Sequence, residues 1–511
     1  MALFSLGRGK SVQVGVTICC LVAFVLFGYD QGVLGGILEN EDWQRQFGYP
    51  NDTETGIIVS CYNLGCLTGC VINFFLGDKL GRRRTIWLAM GFVLVGATLQ
   101  ASAYSVAHLI IGRVITGFGT GIKTSTVPIA GRYQSELCNP EARGRLVSSE
   151  VLFVGVGITI AYWFDFGMSF VGGEVAWRLP IAFQLVFAIG VIILVFALPE
   201  SPRWLLMKGR NEDAVNVLCQ FHDKDPSDPS ILAETSSIQK AIELELSSNK
   251  GDSFFSIFKK DSVGTRYRIL LAWGVQFMNQ AGGINLVVYY IPSVLVQNVG
   301  MEKQTAQILG GCINMMFMFG SILPSFALDR MGRRKTMLWG CTGLGVCMLM
   351  VAALLSQVGH PNGHACASAA VAFFFLYMLI FGMSVNCVPW VYVPEILPLE
   401  ARTRGTAIGV SSNWLWNFTV VMITPVIINR LQWKAYLIFM VTNLLFVPTF
   451  YFFYPETSNF KLEDIDLVFS QGGNPVSIAR QMSKNMKLSV PSDSGISTGT
   501  GKEQSLMVEQ V

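Results

Sequence analysis

The sequence predicts an all-α membrane protein with twelve transmembrane helices arranged as two six-helix halves. Three observations predict it: a composition too apolar for a soluble fold, a series of uncharged runs of spanning length, and a set of motifs that occurs twice. Of 511 residues, 51% are hydrophobic and only 14% charged, where soluble domains carry about 25% charged residues. Such a chain has more apolar surface than a compact core can hide. A bilayer takes up the excess through helices of about 20 apolar residues.

Stretches without Asp, Glu, Lys or Arg run over Thr55–Gly77, Thr85–Gly112, Leu179–Pro199, Ile269–Met301, Gln304–Leu328, Gly405–Asn429 and Ala435–Pro455. Thr336–Pro394 is long enough for two spans, divided at the polar stretch from Gly359 to His364. The spans are placed at 14–36, 57–77, 85–104, 108–130, 146–166, 180–199, 267–292, 305–328, 336–356, 366–393, 404–428 and 434–454. The chain divides into an N-terminal half (1–199), a cytoplasmic linker with short helices (200–268), a C-terminal half (269–455) and a cytoplasmic tail (456–511). The tail is polar and expected to be largely disordered beyond Gly472. The short basic start, Met1 to Lys10, has no small-residue cleavage site after it before Asp30 and is read as a retained cytoplasmic end.

Orientation follows from the positive charges of the loops. With both ends inside, the inner loops hold thirteen Lys and Arg residues, from Lys79 to Arg404, and the outer loops five, Arg45, Arg178, Lys303, Arg430 and Lys434. The first outer loop also contains Asn51-Asp52-Thr53, a candidate glycosylation sequon.

The halves repeat. Asp78-Lys79-Leu80-Gly81-Arg82-Arg83 recurs as Asp329-Arg330-Met331-Gly332-Arg333-Arg334. Glu136 with Arg143 recurs as Glu395 with Arg402, and Pro199-Glu200-Ser201 as Pro455-Glu456-Thr457. The offsets, 251, 259 and 256 residues, are nearly constant, which indicates duplication of a six-helix unit with a site between the halves near mid-bilayer. The repeated charges Asp78, Arg82, Arg83, Glu136, Arg143, Glu200, Arg203, Asp329, Arg333, Arg334, Glu395, Arg402 and Glu456 are expected to form a gating network that pairs when the inner side closes and parts when it opens.

Several classes are excluded. A net charge of +3 implies no nucleic-acid partner. The cysteines sit mostly in apolar runs without zinc-ligand or paired spacing, and the four His (His108, His222, His360, His364) are scattered. With no nucleotide loop and no nucleophile–base motif, the chain is not expected to be an enzyme or to need a metal or cofactor.

These motifs, with Phe27-Gly28-Tyr29-Asp30, Pro199-Glu200-Ser201-Pro202-Arg203-Trp204, Gly283-Ile284-Asn285 and Tyr289-Tyr290, resemble the sugar porter family of the major facilitator superfamily from about Phe27 to Asp466. Ala161-Tyr162-Trp163-Phe164-Asp165-Phe166-Gly167 and Asn413-Trp414-Leu415-Trp416-Asn417-Phe418 are similar to its fungal branch, which holds glycerol–proton symporters and hexose and pentose transporters. The resemblance implies the major facilitator fold, a monomer in the plasma membrane, and a small sugar or polyol as cargo, with protons as a second partner.

The residues themselves point to a polar site in span seven. Gln276, Asn279 and Gln280 follow i, i+3, i+4 spacing and share a face, with Asn285 beyond. Amides both donate to and accept from hydroxyls; the other reading of such amides is glue between helices. The resemblance assigns Gln280 and Asn285 to sugar binding, and Trp390 and Trp414 to packing on the sugar ring, with Asn413 and Asn417 beside Trp414. Asn279 stands where the family has Gln. The family's span-eight Asn falls on Phe317, one turn after Asn314, and its span-five Gln falls on Val151, preceded by Glu150. The Gly-Pro before the span-ten Trp is Asn386-Cys387. Asp30 and Arg113 are intramembrane charges, each in need of a partner; in proton-coupled members the matching Asp titrates and the Arg modulates it. Glu150 is a second candidate proton carrier. Three readings stay open beside proton symport of a hexose or pentose: a passive facilitator, a polyol or glycerol–proton symporter, and a transporter-like sugar sensor. The sensor is disfavoured because about 55 residues follow Pro455, a short tail for that class.

Overall fold

The computed structural model describes residues 7–126, 143–249, 261, 263–361, 363–398, 401–458, 460 and 462–489. In chain order the first half contains α1 (Lys10–Ile37), α2 (Glu41–Gln46), α3 (Asp52–Leu80), α4 (Arg82–Ala101), α5 (Val106–Thr126), α6 (Arg143–Met168) and α7 (Val175–Ala197). The linker holds α8 (Pro202–Met207), α9 (Asn211–His222) and α10 (Pro229–Asn249). The second half contains α11 (Thr265–Ala281), α12 (Ile284–Gln297), α13 (Lys303–Met331), α14 (Arg333–Leu355), α15 (Gly363–Met383), α16 (Val388–Ile396), α17 (Arg402–Leu431) and α18 (Lys434–Phe453). α19 (Leu462–Ser470) and α20 (Pro475–Ser489) follow. No strand occurs among the described residues.

The twelve crossings are α1, α3, α4, α5, α6, α7, α11 with α12, α13, α14, α15 with α16, α17 and α18. Ten segments are by themselves long and apolar enough to span. The others are α5, whose apolar run is interrupted by Arg113 and Lys123, and the pair α11–α12, whose pieces of 17 and 14 residues are short alone.

Two spans are broken where the sequence predicts continuous helix. α11 stops at Ala281, and Gly283 takes φ +100°, open to glycine but strained for any side chain. The freed carbonyl of Gly282 accepts from the Tyr377 hydroxyl (3.0 Å) and the Asn443 amide (2.8 Å), so the break leaves that group satisfied inside the membrane. The second break, between Met383 and Val388, is followed by Pro389, which cannot donate to a preceding turn.

The halves show the same internal packing. Glycines let α3 approach α5 and α13 approach α15: a Cβ at Gly117 would meet the Tyr62 carbonyl oxygen at 2.1 Å, and one at Gly320 the Leu379 carbonyl at 2.3 Å. α1 meets α6 in the same way, Gly28 against Val154. Large residues there would separate helices whose packing replaces the hydrophobic force that lipid cannot supply.

The duplicated Glu has a structural role in each half. Glu200 accepts from the backbone N–H groups of Arg82 (2.9 Å) and Arg83 (3.3 Å) at the start of α4, and Glu456 from those of Arg333 (2.7 Å) and Arg334 (3.1 Å) at the start of α14. Both carboxylates cap a helix whose first N–H groups have no partner of their own and whose dipole favours an anion. Burial pushes the Glu200 carboxyl up from its ordinary range, against the N–H donors of Ser201, Arg82 and Arg83, which pull it down.

The chain ends join the halves they flank. The N–H of Gly9 donates to Gln220 (2.8 Å) and the Gln13 amide to Phe221 (3.1 Å), tying α1 to α9. Arg268 pairs with Asp466 (2.6 Å) and lies over the Phe469 ring, tying α19 to α11. Pro475–Ser489, inside the tail expected to be largely disordered, is helical. Val476 and Ala479 are buried while Arg480 and Lys484 face outward. An average polar composition hides this one-sided apolar spacing.

Candidate functional site

A cavity opens between the halves, lined by α1, α5 and α6 on one side and by α11, α12, α13, α15, α16 and α17 on the other. Of the residues singled out by sequence, Asn279, Gln280, Asn285, Trp390, Asn413 and Asn417 line it. The amides form a chain of hydrogen bonds. Asn285 donates to Gln280 (2.8 Å), Gln280 to Asn279 (2.8 Å), and Asn279 to the Val385 carbonyl (2.8 Å). Asn413 donates to Gln276 (2.8 Å) and to Asn279 (3.2 Å). The break at Gly283 makes this possible, because it turns α12 so that Asn285 faces back towards Gln280. Each amide carries two donors and a two-lone-pair oxygen, so the chain leaves capacity facing the cavity.

Gln276, Asn314 and Trp414 do not line the cavity. Gln276 is buried behind Asn413. Asn314 donates to the carbonyl one turn back, Gly310 (2.9 Å). Trp414 is fully buried, edge-on to Phe27 with ring centres 5.6 Å apart, so it backs an aromatic residue that does face the cavity. Phe24, Phe27, Phe317 and Phe381 supply apolar wall, and Val151 stands beside Glu150 on α6. Gln31, Thr124 and Asn386 are further polar lining residues. The sequence reading did not select Asn63, fully buried on α3, which donates to Asn417 across the halves (2.9 Å). Nothing in its own span marks it, since its partner lies 354 residues away.

Asp30 is fully buried beside this cavity. One carboxylate oxygen accepts from Tyr62 (3.3 Å) and Thr120 (3.4 Å), and the other has no partner. Arg113 makes no ion pair with it. Its guanidinium lies over the Tyr62 ring (4.7 Å) and donates to the Val59 carbonyl (3.0 Å). Lys123, buried with an unpartnered amine, also acts on Asp30 electrostatically. It was legible as a charge inside the fourth predicted span, three residues beyond Thr120. Asp30 therefore sits in the field of two cations rather than one.

At the face bearing the termini, each of the following contacts joins groups of one half. Beyond the Glu200 and Glu456 caps, Arg83 donates to the Val195 and Phe196 carbonyls, and Arg333 makes a two-pronged contact with Glu395 (2.7 and 3.2 Å). Arg402 reaches the Leu397 carbonyl (3.4 Å), and Arg203 stands in the first turn of α8. Glu136 lies outside the described residues, as do the side chains of Asp78, Arg143 and Asp329. At mid-span and towards the opposite face, hydrogen bonds cross between the halves: Asn63 to Asn417, Tyr162 to the Val288 carbonyl (2.6 Å), Ser293 to Glu39, and Asn429 to Asp52 (2.6 Å). Asn51 of the sequon is the N-cap of α3, in a capping box with Glu54. Among the described residues no cluster of His, Cys, Asp and Glu could hold a metal ion.

Residues 16–469 match the family model described as "Sugar (and other) transporter". The chain belongs to that family. This transporter is 39% identical over 456 residues to the MFS-type transporter oryC of Aspergillus oryzae, covering 88% of this chain and 84% of that one. It is 34% identical to the sugar transporter STL1 of Saccharomyces cerevisiae, covering 93% and 85%, and 29% identical to the low-affinity glucose transporter HXT1 of the same yeast, covering 91% and 84%. Among solved structures, the proton:xylose symporter XylE bound to 6-bromo-6-deoxy-D-glucose superposes with a TM-score of 0.75 at 22% identity, covering 90% of this chain and all of that one. A partially occluded inward-open form of the xylose transporter XylE from E. coli gives 0.73 over 88% of this chain. At that identity the likeness establishes the twelve-helix major facilitator fold. The protein is a multi-pass membrane transporter of the sugar porter family and not an enzyme.

Proposed function

We propose that this transporter carries a small sugar, a hexose or pentose, across the plasma membrane by alternating access, with protons moving inward alongside. The observation that carries the reading is the hydrogen-bonded run of Asn279, Gln280, Asn285 and Asn413 facing aromatic wall across one cavity. Neighbouring hydroxyls of a sugar donate and accept in alternation, which amides match, while Phe27 and Trp390 suit the C–H face of a ring. Gln280 and Asn285 hold hydroxyls, Asn279, Asn413 and Asn417 complete the polar rim, Gln276 holds Asn413 from behind, and Trp414 backs Phe27. The named activities of the yeast relatives and of the xylose symporter are in line with this cargo.

Asp30 is the coupling site in this reading. Its free oxygen takes a proton while the cavity faces out and Arg113 stands apart from it, and renewed pairing with Arg113 when the cavity faces in releases the proton to the cytoplasm. Neutralising Asp30 removes the cost of carrying a bare charge through a closed intermediate. With both termini in the cytoplasm, the described hydrogen bonds between the halves lie at mid-span and on the outer side. One chain contains the whole pathway and works as a monomer.

The test is uptake of radiolabelled glucose, xylose and glycerol in a host lacking its own transporters, with current or medium alkalinisation recorded on substrate addition. Saturable sugar uptake with an inward current is expected. Uptake without current identifies a passive facilitator. Preference for glycerol supports the polyol reading, which the apolar Val151 and Phe317 in place of amides favour by narrowing the polar rim. No uptake of any of the three overturns the proposal.

A further inference from the structure

The cavity holds one carboxyl that neither the hydrogen-bond chain nor the Asp30 cluster uses. Glu150, on α6, is 2% exposed, lines the cavity, and has an Oε2 with no partner. Nearby on the wall are Phe24, Phe27, Phe317, Phe381 and Trp390 on the apolar side and Thr124 as a hydroxyl. Among the described lining residues there is no Lys, Arg or His. Asp30, Arg113, Lys123 and Asp165 are also buried within spans and do not line the cavity.

A buried carboxyl without a partner is costly and is kept where something visits it. Here the visitor is the cargo, since Glu150 lines the same cavity as the amides. An ionised carboxylate accepts from hydroxyls with short, strong bonds. It thus replaces, with a stronger acceptor, the amide missing at Val151. It also sets a charge rule. Ionised, Glu150 repels an anionic cargo; protonated, it leaves the cavity without any charge to balance one. Two carboxyls sharing one site do not readily both ionise.

We propose that Glu150 is the specificity-determining residue of the cavity: it binds cargo hydroxyls directly and restricts transport to uncharged polyhydroxylated molecules, excluding sugar acids and cyclic hydroxy acids such as quinate. This rests on the sugar-transport reading above.

The experiment measures inhibition of radiolabelled sugar uptake by glucose, gluconate and quinate in the unmodified transporter, Glu150→Gln and Glu150→Ala. Glucose should inhibit the unmodified protein at least about 100-fold more strongly than either acid, the range that a site with an unmatched polar group reaches. In Glu150→Gln that gap should narrow about tenfold or more, and in Glu150→Ala sugar affinity should fall about tenfold, each being one step of the affinity scale. Sugar uptake with the same affinity and the same ranking in both variants overturns the proposal while leaving sugar transport intact. A protein that takes up quinate and no neutral sugar overturns both. Should a variant not reach the membrane, the unmodified protein still decides. A membrane-soluble carbodiimide, followed by peptide mass analysis, should label Glu150, and saturating sugar should protect it. Labelling unaffected by sugar overturns direct contact.

Discussion

Gln280→Ala tests the amide chain most directly. Gln280 donates from Nε2 to Asn279 and accepts at Oε1 from Asn285, both at 2.8 Å. Its amide has two N–H donors and two lone pairs, so one donor and one acceptor remain for cargo. Each such hydrogen bond contributes about 0.5–1.5 kcal/mol net, so losing two costs about 1–3 kcal/mol in cargo binding. That is a rise of roughly 5- to 150-fold in apparent KM. Folding should suffer little, because the Asn285 amide left without its acceptor borders the cavity and not a dry core. The assay is initial-rate sugar uptake over a concentration series in a transport-null host, corrected for surface abundance. Asn285→Ala should behave alike, and the double variant should fall short of the sum, since the two side chains bond each other. An unchanged apparent affinity in both single variants would falsify the assignment of these amides to the cargo.

Four further outcomes are expected. Asp30→Asn, a permanent mimic of the protonated state, should abolish uphill accumulation and the pH dependence of uptake yet permit exchange down a gradient; persistent concentrative uptake would rule Asp30 out and turn attention to Glu150 as proton carrier. Val151→Gln should move preference towards ordinary hexoses, and an untouched ranking of glucose, xylose and glycerol would remove span five from the specificity argument. Gly283→Ala places a Cβ 2.7 Å from the Phe439 ring at a positive φ and should cost at least about 1–2 kcal/mol, read as a lower melting temperature in detergent; wild-type stability would show that the break tolerates a side chain. Glu456→Ala should cost about 1–2 kcal/mol through the lost cap of α14, with Glu456→Gln partly restoring the melting temperature, and equal loss in both would mean that the charge rather than the hydrogen bond matters.

The spans were legible because lipid imposes a length and a composition that any reader of the sequence can count. The breaks were not. Gly282-Gly283 is visible in the sequence, but whether a glycine pair ends a spanning helix depends on a partner for the freed carbonyl. Those partners, Tyr377 and Asn443, lie far along the chain. The amides of span seven were readable from their density, whereas the placement of Trp414 behind Phe27 and not at the cavity depends on how two helices pack. Lys123 needed no structure at all, only a census of charges within spans. The α20 helix escaped because composition averages over faces. The cross-half bond of Asn63 could not be read from either helix separately, because it joins two residues whose spans carry no common signal.

The two carboxylate caps divide the molecule mechanically. Each turn between paired spans is fastened by a glutamate of its own half, and each chain end clips to the half it leaves: α9 travels with α1, and α19 with α11. In the alternating-access reading proposed above, what rocks is two units joined by a strap, the stretch of chain between α9 and α11. Such a machine needs no hinge within its spans at that face and little from the strap beyond length. Cutting the strap between α9 and α10 and producing the two pieces together would leave every fastening described here in place, and the fragments would be expected to assemble and transport as the intact chain does.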